Sequence, residues 1–167
     1  MNEDKDLRLL KERRSIRSYD SRPIDDEILT KILDTSRWCW SAVNRQPWKI
    51  YVIRNSDLIS QIAKECTTGP FAAEAPVLIA LVGDIEAQPN WYVHDLSFLS
   101  LQLALAAWAY GIGTCFIGNV NRDNVKKILG LHEKDFLLTV LPLGYPSGNI
   151  PKARPRKPLD EIVKYFD

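Results

Sequence analysis

The chain has 167 residues, 46% of them hydrophobic, with 22 basic and 21 acidic side chains and a formal charge of +1. That length supports one domain (residues 1–167) with a real core, burying roughly 70% of its unfolded surface, and the near-neutral balance excludes a global field for nucleic acid or an anionic membrane. The longest apolar stretch, Leu96 to Ile112, is broken by Ser97, Ser100 and Gln102, and Cys39, Cys66 and Cys115 are too few and too scattered for a disulfide framework or zinc, so a cytoplasmic, metal-free protein is expected.

Along the chain, helical and strand-like patterns alternate, which predicts a mixed α+β domain in which helices dominate. Asp6 to Glu12 reads as a short charged helix. Ile24 to Trp38 is a stronger one, since Ile28, Leu29, Ile32 and Leu33 share a face, Asp25 can cap it, and Ile24 and Leu29 are spaced as a hydrophobic staple. Trp48 to Arg54 alternates as a strand does, and Ser56 is the expected cap of a helix carrying Leu58, Ile59, Ile62 and Ala63. The continuous apolar run Val77 to Val82 predicts a central strand buried on both faces.

Asp95 to Tyr110 is apolar nearly all round and ends at Gly111, the pattern of a buried helix with a glycine C-cap. A short strand (Thr114 to Ile117), an amphipathic helix (Arg122 to Leu129) and a buried strand (Phe136 to Leu141) follow. The chain then runs through Gly148, Pro151, Pro155 and Pro158 as an extended arm, residues 148–167, that ends in a turn of helix with Leu159, Ile162, Val163 and Phe166. An apolar helix on such an arm needs a surface, and a second subunit would supply one.

Three clusters could carry chemistry. Arg13, Arg14, Ser15 and Arg17 place three guanidinium groups and a hydroxyl within five residues; the planar fork of arginine gives paired charge-assisted bonds to phosphate oxygens. Taken alone the segment also reads as a solvated basic turn. Ser41, Asn44 and Gln46 lie in a loop between a helix and a strand, and side-chain amides can match the acceptor, donor and acceptor of a flavin's pyrimidine edge; a simple helix terminator is the alternative. Lys152, Arg154 and Arg156 sit among prolines that reduce the entropy lost when arginines are fixed, although a disordered basic arm has the same composition. Gly118 could let a planar ligand approach the backbone, and Trp40 could line a ring-binding pocket. His94 and His132 have no partners for zinc or triad chemistry, and His94 beside Asp95 reads as polar capping.

Taken in order, these clusters resemble the FMN-dependent nitroreductase family along nearly the whole chain. "RRSIRSYD" resembles the family's phosphate-binding start, "SAVNRQPW" its polar loop, "GIGTCFIG" the stretch beside the flavin ring, and "PLGYP" with "RPRKPLDEIV" its ending. The resemblance implies a helix/sheet sandwich with a central, mostly antiparallel mixed sheet, in an intertwined homodimer with FMN at the interface. It assigns Arg13, Ser15, Arg17, Arg154 and Arg156, with Arg14 adjoining, to the phosphate and ribityl chain. Ser41, Asn44 and Gln46 inherit contacts near the flavin, partly across the dimer, and the backbone of Ile117 and Gly118 would approach N5 and O4. Catalysis would need no acid or base residue, because the flavin carries the chemistry between NAD(P)H and a flat acceptor such as a nitroaromatic or quinone. A flavin-dependent dehydrogenase, a flavin reductase or a non-catalytic flavin binder fits the same scaffold. Trp40 departs from the family's usual proline before the loop serine, Ile117 stands where many members have an acidic residue, and the connections Thr67 to Pro76 and Ala87 to Tyr92 are short.

Overall fold

A computed structural model describes residues 3–166. Its centre is a sheet of four strands, β1 (Trp48–Ile53), β2 (Val77–Asp84), β3 (Gly113–Thr114) and β4 (Asp135–Gly144), ordered β1-β2-β4-β3 with antiparallel ladders. The apolar run at Val77 to Val82 forms an inner strand, as its hydrophobicity on both faces requires. Leu78, Ala80 and Val82 belong to one core, and Val77, Ile79 and Leu81 to the other. The register with β4 shifts between Leu81 and Val82, which face Thr139 and Leu137, so Leu138 is an extra residue in a bulge.

Helices α1 (Glu3–Glu12), α2 (Asp26–Ser36), α3 (Ser56–Lys64), α4 (Tyr92–Ala109), α5 (Arg122–Ile128) and α6 (Leu159–Ile162) surround the sheet, with 3-10 turns at Ala42–Asn44 and Pro70–Glu74. One face is covered by α2 and α4, through Leu29, Ile32, Leu96, Leu99 and Leu103, and the other by α3 and α5, through Ile59, Ile62 and Val125. The molecule is therefore the expected α+β sandwich. Among the described residues its parallel component is a single bridge between Ser15 and Thr114.

Local chemistry explains most boundaries. Asp25 caps α2 by accepting from the N–H groups of Glu27 (2.8 Å) and Ile28 (3.4 Å), and Ile24 and Leu29 of the staple are both buried in the same core. The helix is shorter than the span Ile24 to Trp38, because Trp38 and Cys39 turn out of it through bonds to the carbonyls of Thr35 and Ser36. Asn55, and not Ser56, caps α3, its Oδ1 accepting from Leu58 N–H at 2.9 Å; an asparagine one residue earlier out-competes the serine for the cap. Gly111, at φ +72°, ends α4 in the left-handed conformation that glycine adopts without strain. The expected strand Thr114 to Ile117 ends at Thr114, since the carbonyl of Ile117 is taken by the Thr139 side chain instead of by a ladder partner.

Two strand-like contacts bring the ends of the chain together. After α1, Ser15 bridges Thr114, and the N–H of Ile16 donates to the Thr114 carbonyl at 2.9 Å. The same segment then crosses the exit of β4: Asp20 N–H donates to the Tyr145 carbonyl and Ser147 N–H to the Ser18 carbonyl, both at 3.0 Å. Tyr19 locks the crossing, with its buried hydroxyl donating to the Ile16 carbonyl at 2.6 Å. The N-terminal arginines are thus held where the C-terminal arm departs.

Candidate functional site

The crossing creates a recess of about 280 Å³ lined by Arg13, Arg14, Ser15 and Arg17 from the start of the chain and by Lys152, Arg154 and Arg156 from its end. Among the described residues no acidic side chain lines it. Six cationic groups that face one another without counter-ions repel, and a compact dianion relieves that repulsion while its oxygens accept several guanidinium donors. The recess therefore fits a phosphate group. Its members are not equivalent. The Arg14 guanidinium turns back to donate to the carbonyls of Lys11 (2.7 Å) and Arg13 (3.0 Å), closing the end of α1, and Arg156 donates to the Arg154 carbonyl at 3.1 Å. Arg13 and Arg17 make no such hydrogen bond among the described residues.

Behind the recess lies Cys115, a buried thiol beside Ser15, Arg17 and Arg13; burial pushes its ionisation up, and the neighbouring arginines oppose that only in part. From there the chain leads to Ile117 and Gly118. The Ile117 side chain is buried against Gly69, while its carbonyl accepts from the buried Thr139 hydroxyl at 2.8 Å. Neither Ile117 N–H nor Gly118 N–H meets an acceptor among the described residues. Gly118 is exposed, and a Cβ there would stand in open space. Two unpaired backbone donors next to an unobstructed surface suit a planar ligand that offers acceptors.

The polar loop is a separate feature in this single chain: Ser41, Asn44 and Gln46 do not line the cationic recess. Its backbone is strained, with Val43 (φ +47°), Asn44 (φ +56°) and Gln46 (φ +52°) all in the left-handed region. Each such residue costs about 1–3 kcal/mol and persists only where its surroundings impose it. Ser41 Oγ accepts from Gln46 N–H at 3.1 Å, and the Gln46 amide donates to the Asn44 carbonyl at 3.3 Å, so both side chains hold the loop as well as edging it. Trp40 lies at an apolar recess of about 310 Å³ with Trp38, Phe98 and Leu101, its ring 6.1 Å edge-on from that of Phe98.

A model of the nitroreductase family matches residues 10–72 and 64–145, a span that takes in the N-terminal arginines, the polar loop and Gly118. The chain belongs to the nitroreductase family. It is 33% identical, over 86% of its length and 78% of the other's, to a protein of Methanothermobacter thermautotrophicus provisionally named NADH dehydrogenase/NAD(P)H nitroreductase. The crystal structure of a protein from Parabacteroides distasonis with the same provisional name superimposes with a TM-score of 0.90 at 24% identity, covering 96% of this chain and 97% of that one. A provisionally named nitroreductase from Exiguobacterium sibiricum, solved in complex with FMN, superimposes with a TM-score of 0.86 at 24% identity over 96% of both chains. Both superpositions establish the nitroreductase fold for the α+β sandwich.

Within this nitroreductase fold, several residues around the site escape a reading by motif. Asp95 is fully buried and accepts from the Ala42 N–H at 3.0 Å. Its sequence signal is its place one turn before Leu99 and two before Leu103 on the inward face of α4. Thr139 and Arg122 have no such signal. The Arg122 guanidinium donates to the carbonyls of Leu137 and Leu138, both at 3.0 Å, and of Gly118 at 3.4 Å, joining the Gly118 turn to β4. Among the described residues no cluster of His, Cys, Asp and Glu could hold a metal ion, and no helix is long and apolar enough to cross a membrane.

Proposed function

We propose that this chain is an NAD(P)H-dependent FMN oxidoreductase that works as a homodimer and reduces flat acceptors such as nitroaromatics or quinones. The observation that carries the reading is the recess in which arginines from both ends of one chain converge without a counter-ion among the described residues. When bound, FMN supplies two-electron chemistry at N5, between the nicotinamide and the acceptor. The protein's own groups then bind, orient and shield. Arg13, Arg17, Arg154 and Arg156, with Ser15 and Lys152, neutralise the phosphate; Arg14 closes the rim. The Gly118 N–H, turned away from the core because Thr139 draws the Ile117 carbonyl of the same peptide inward, donates to the ring edge together with the unpaired N–H of Ile117. Ser41, Asn44 and Gln46 match the pyrimidine edge, in part from the second subunit.

Exposed apolar side chains support the dimer. Trp38, Trp40, Phe98 and Leu101 crowd one surface, and Leu159, Ile162 and Phe166 of the arm are bare in the isolated chain. We take residues 1–167 as one domain whose arm, 148–167, packs on the partner. The three cysteines are free, which suits a reducing cytoplasm. The test is the absorption spectrum of the purified protein, with and without added FMN. Stoichiometric retention of FMN supports the reading, and a colourless protein that neither retains nor takes up flavin removes it.

A further inference from the structure

We propose that Asp95 is a positioning residue: its buried carboxylate grips the loop Ser41 to Gln46 through the Ala42 N–H and holds Asn44 and Gln46 in their ligand-facing conformation. The proposal rests on the reading of that loop as a flavin contact. Three residues of the loop, Val43, Asn44 and Gln46, have φ values between +47° and +56°, and a β-branched valine resists that conformation most. The loop's own bonds from Ser41 and Gln46 share the task of imposing it with groups outside the loop. Two such groups act from distant parts of the sequence. Asp95 Oδ1 accepts from Ala42 N–H at 3.0 Å, and Gln88 Nε2 donates to the Ala42 carbonyl at 3.4 Å. Ala42 is thus held on both sides of its peptide frame, immediately before the strained residues.

Stability alone gives no reason for a carboxylate at this place. Asp95 is fully buried among leucines of α4, pairs with no cation among the described residues, and leaves Oδ2 buried without a donor among them. A buried, half-satisfied carboxylate is destabilising unless its charge is used. It lies in the first turn of α4, an 18-residue helix whose positive end tolerates the charge. The charge in turn strengthens the bond to Ala42 N–H beyond what a neutral acceptor provides. The grip on the loop is what that arrangement secures.

The experiment uses the full-length holoprotein and its apoprotein, with FMN as the probe, and compares Asp95→Leu with Asp95→Asn. Leucine removes the acceptor, and asparagine keeps it without the charge. Asp95→Leu should weaken FMN binding by about tenfold or more, while the apoprotein melts no lower than wild type because an unsatisfied buried charge has gone. Asp95→Asn, which keeps a neutral acceptor, should fall between wild type and Asp95→Leu. Wild-type FMN affinity in Asp95→Leu overturns the proposal, as does a parallel loss of affinity and apoprotein stability, or an Asp95→Asn protein as weak as Asp95→Leu. If Asp95→Leu does not fold, hydrogen exchange at the Ala42 amide of the wild-type apoprotein decides: protection supports the grip, and exchange at the rate of an open loop overturns it. A wild-type protein that binds no FMN but protects Ala42 defeats the flavin reading and leaves the grip standing.

Discussion

The hydroxyl of Thr139, buried in β4, donates to the carbonyl of Ile117 at 2.8 Å, and by doing so turns the Ile117 peptide so that its carbonyl faces the core. This one bond replaces the sheet ladder that stops at Thr114. Thr139→Val should leave the Ile117 carbonyl without its donor, at a cost of about 1–3 kcal/mol in unfolding free energy. It should also weaken FMN binding, because the Gly118 N–H of the same peptide loses its fixed direction. Thr139→Ser, which keeps the hydroxyl, should lose less of both. Urea unfolding and FMN titration of the pair check this; equal behaviour of the two variants would show that shape, and not the hydrogen bond, matters.

A second expectation concerns the cationic recess. Arg154→Ala with Arg156→Ala should leave the fold intact, since that part of the arm is exposed, and should weaken FMN retention strongly. Removing one charge-assisted hydrogen bond costs about 1.5–3 kcal/mol, so even a single such bond corresponds to roughly a tenfold or larger rise in Kd. Wild-type affinity should also fall with added salt, and less steeply in the double variant. Unchanged affinity in that variant would take the tail out of the site.

Stability should fall in alkali. Burial pushes the thiols of Cys39 and Cys66 up to about 11, and it raises Cys115 and the Tyr19 phenol as well. In the unfolded chain a thiol ionises near 9.0, so above that pH the unfolded state holds fewer protons than the folded one. The stabilisation is fully present below pH 9 and is lost as pH rises through about 11. Urea midpoints across that window should decline, and Cys66→Ala should flatten part of the decline. A midpoint that rises in this range would contradict the burial of these groups.

The arm makes a prediction about assembly. Leu159, Ile162 and Phe166 are 73%, 60% and 96% exposed in the isolated chain, too much apolar surface for an arm tip to leave in water. Truncation after Ile150 should give monomer or aggregate by analytical ultracentrifugation. A truncated chain that sediments as a stable dimer and keeps FMN would show that the arm is dispensable.

Much of the fold is legible in the sequence because local rules and packing agree. Asp25 and the Ile24–Leu29 staple start α2, Gly111 stops α4, and the unbroken apolar run of β2 places it inside the sheet. The convergence of Arg13 and Arg17 with Arg154 and Arg156 follows from the sequence only through the family's order of motifs. What brings them together is the crossing of residues 15–20 over the exit of β4, a long-range pairing that leaves no local pattern. Asp95 reads in the sequence as part of a polar cap near a helix start, yet it is fully buried one turn from Leu99. Thr139 and Arg122 act through single side-chain bonds to distant carbonyls, and residue type alone does not announce such bonds.

The most direct test of the central claim is anaerobic mixing of the FMN-loaded protein with NADH and with NADPH, followed by absorbance of the oxidised flavin. The account predicts that at least one nucleotide bleaches the flavin stoichiometrically, and that a quinone or nitroaromatic then restores the colour. A flavin that stays oxidised with both nucleotides would contradict it and would leave the chain a flavin-binding protein without this turnover.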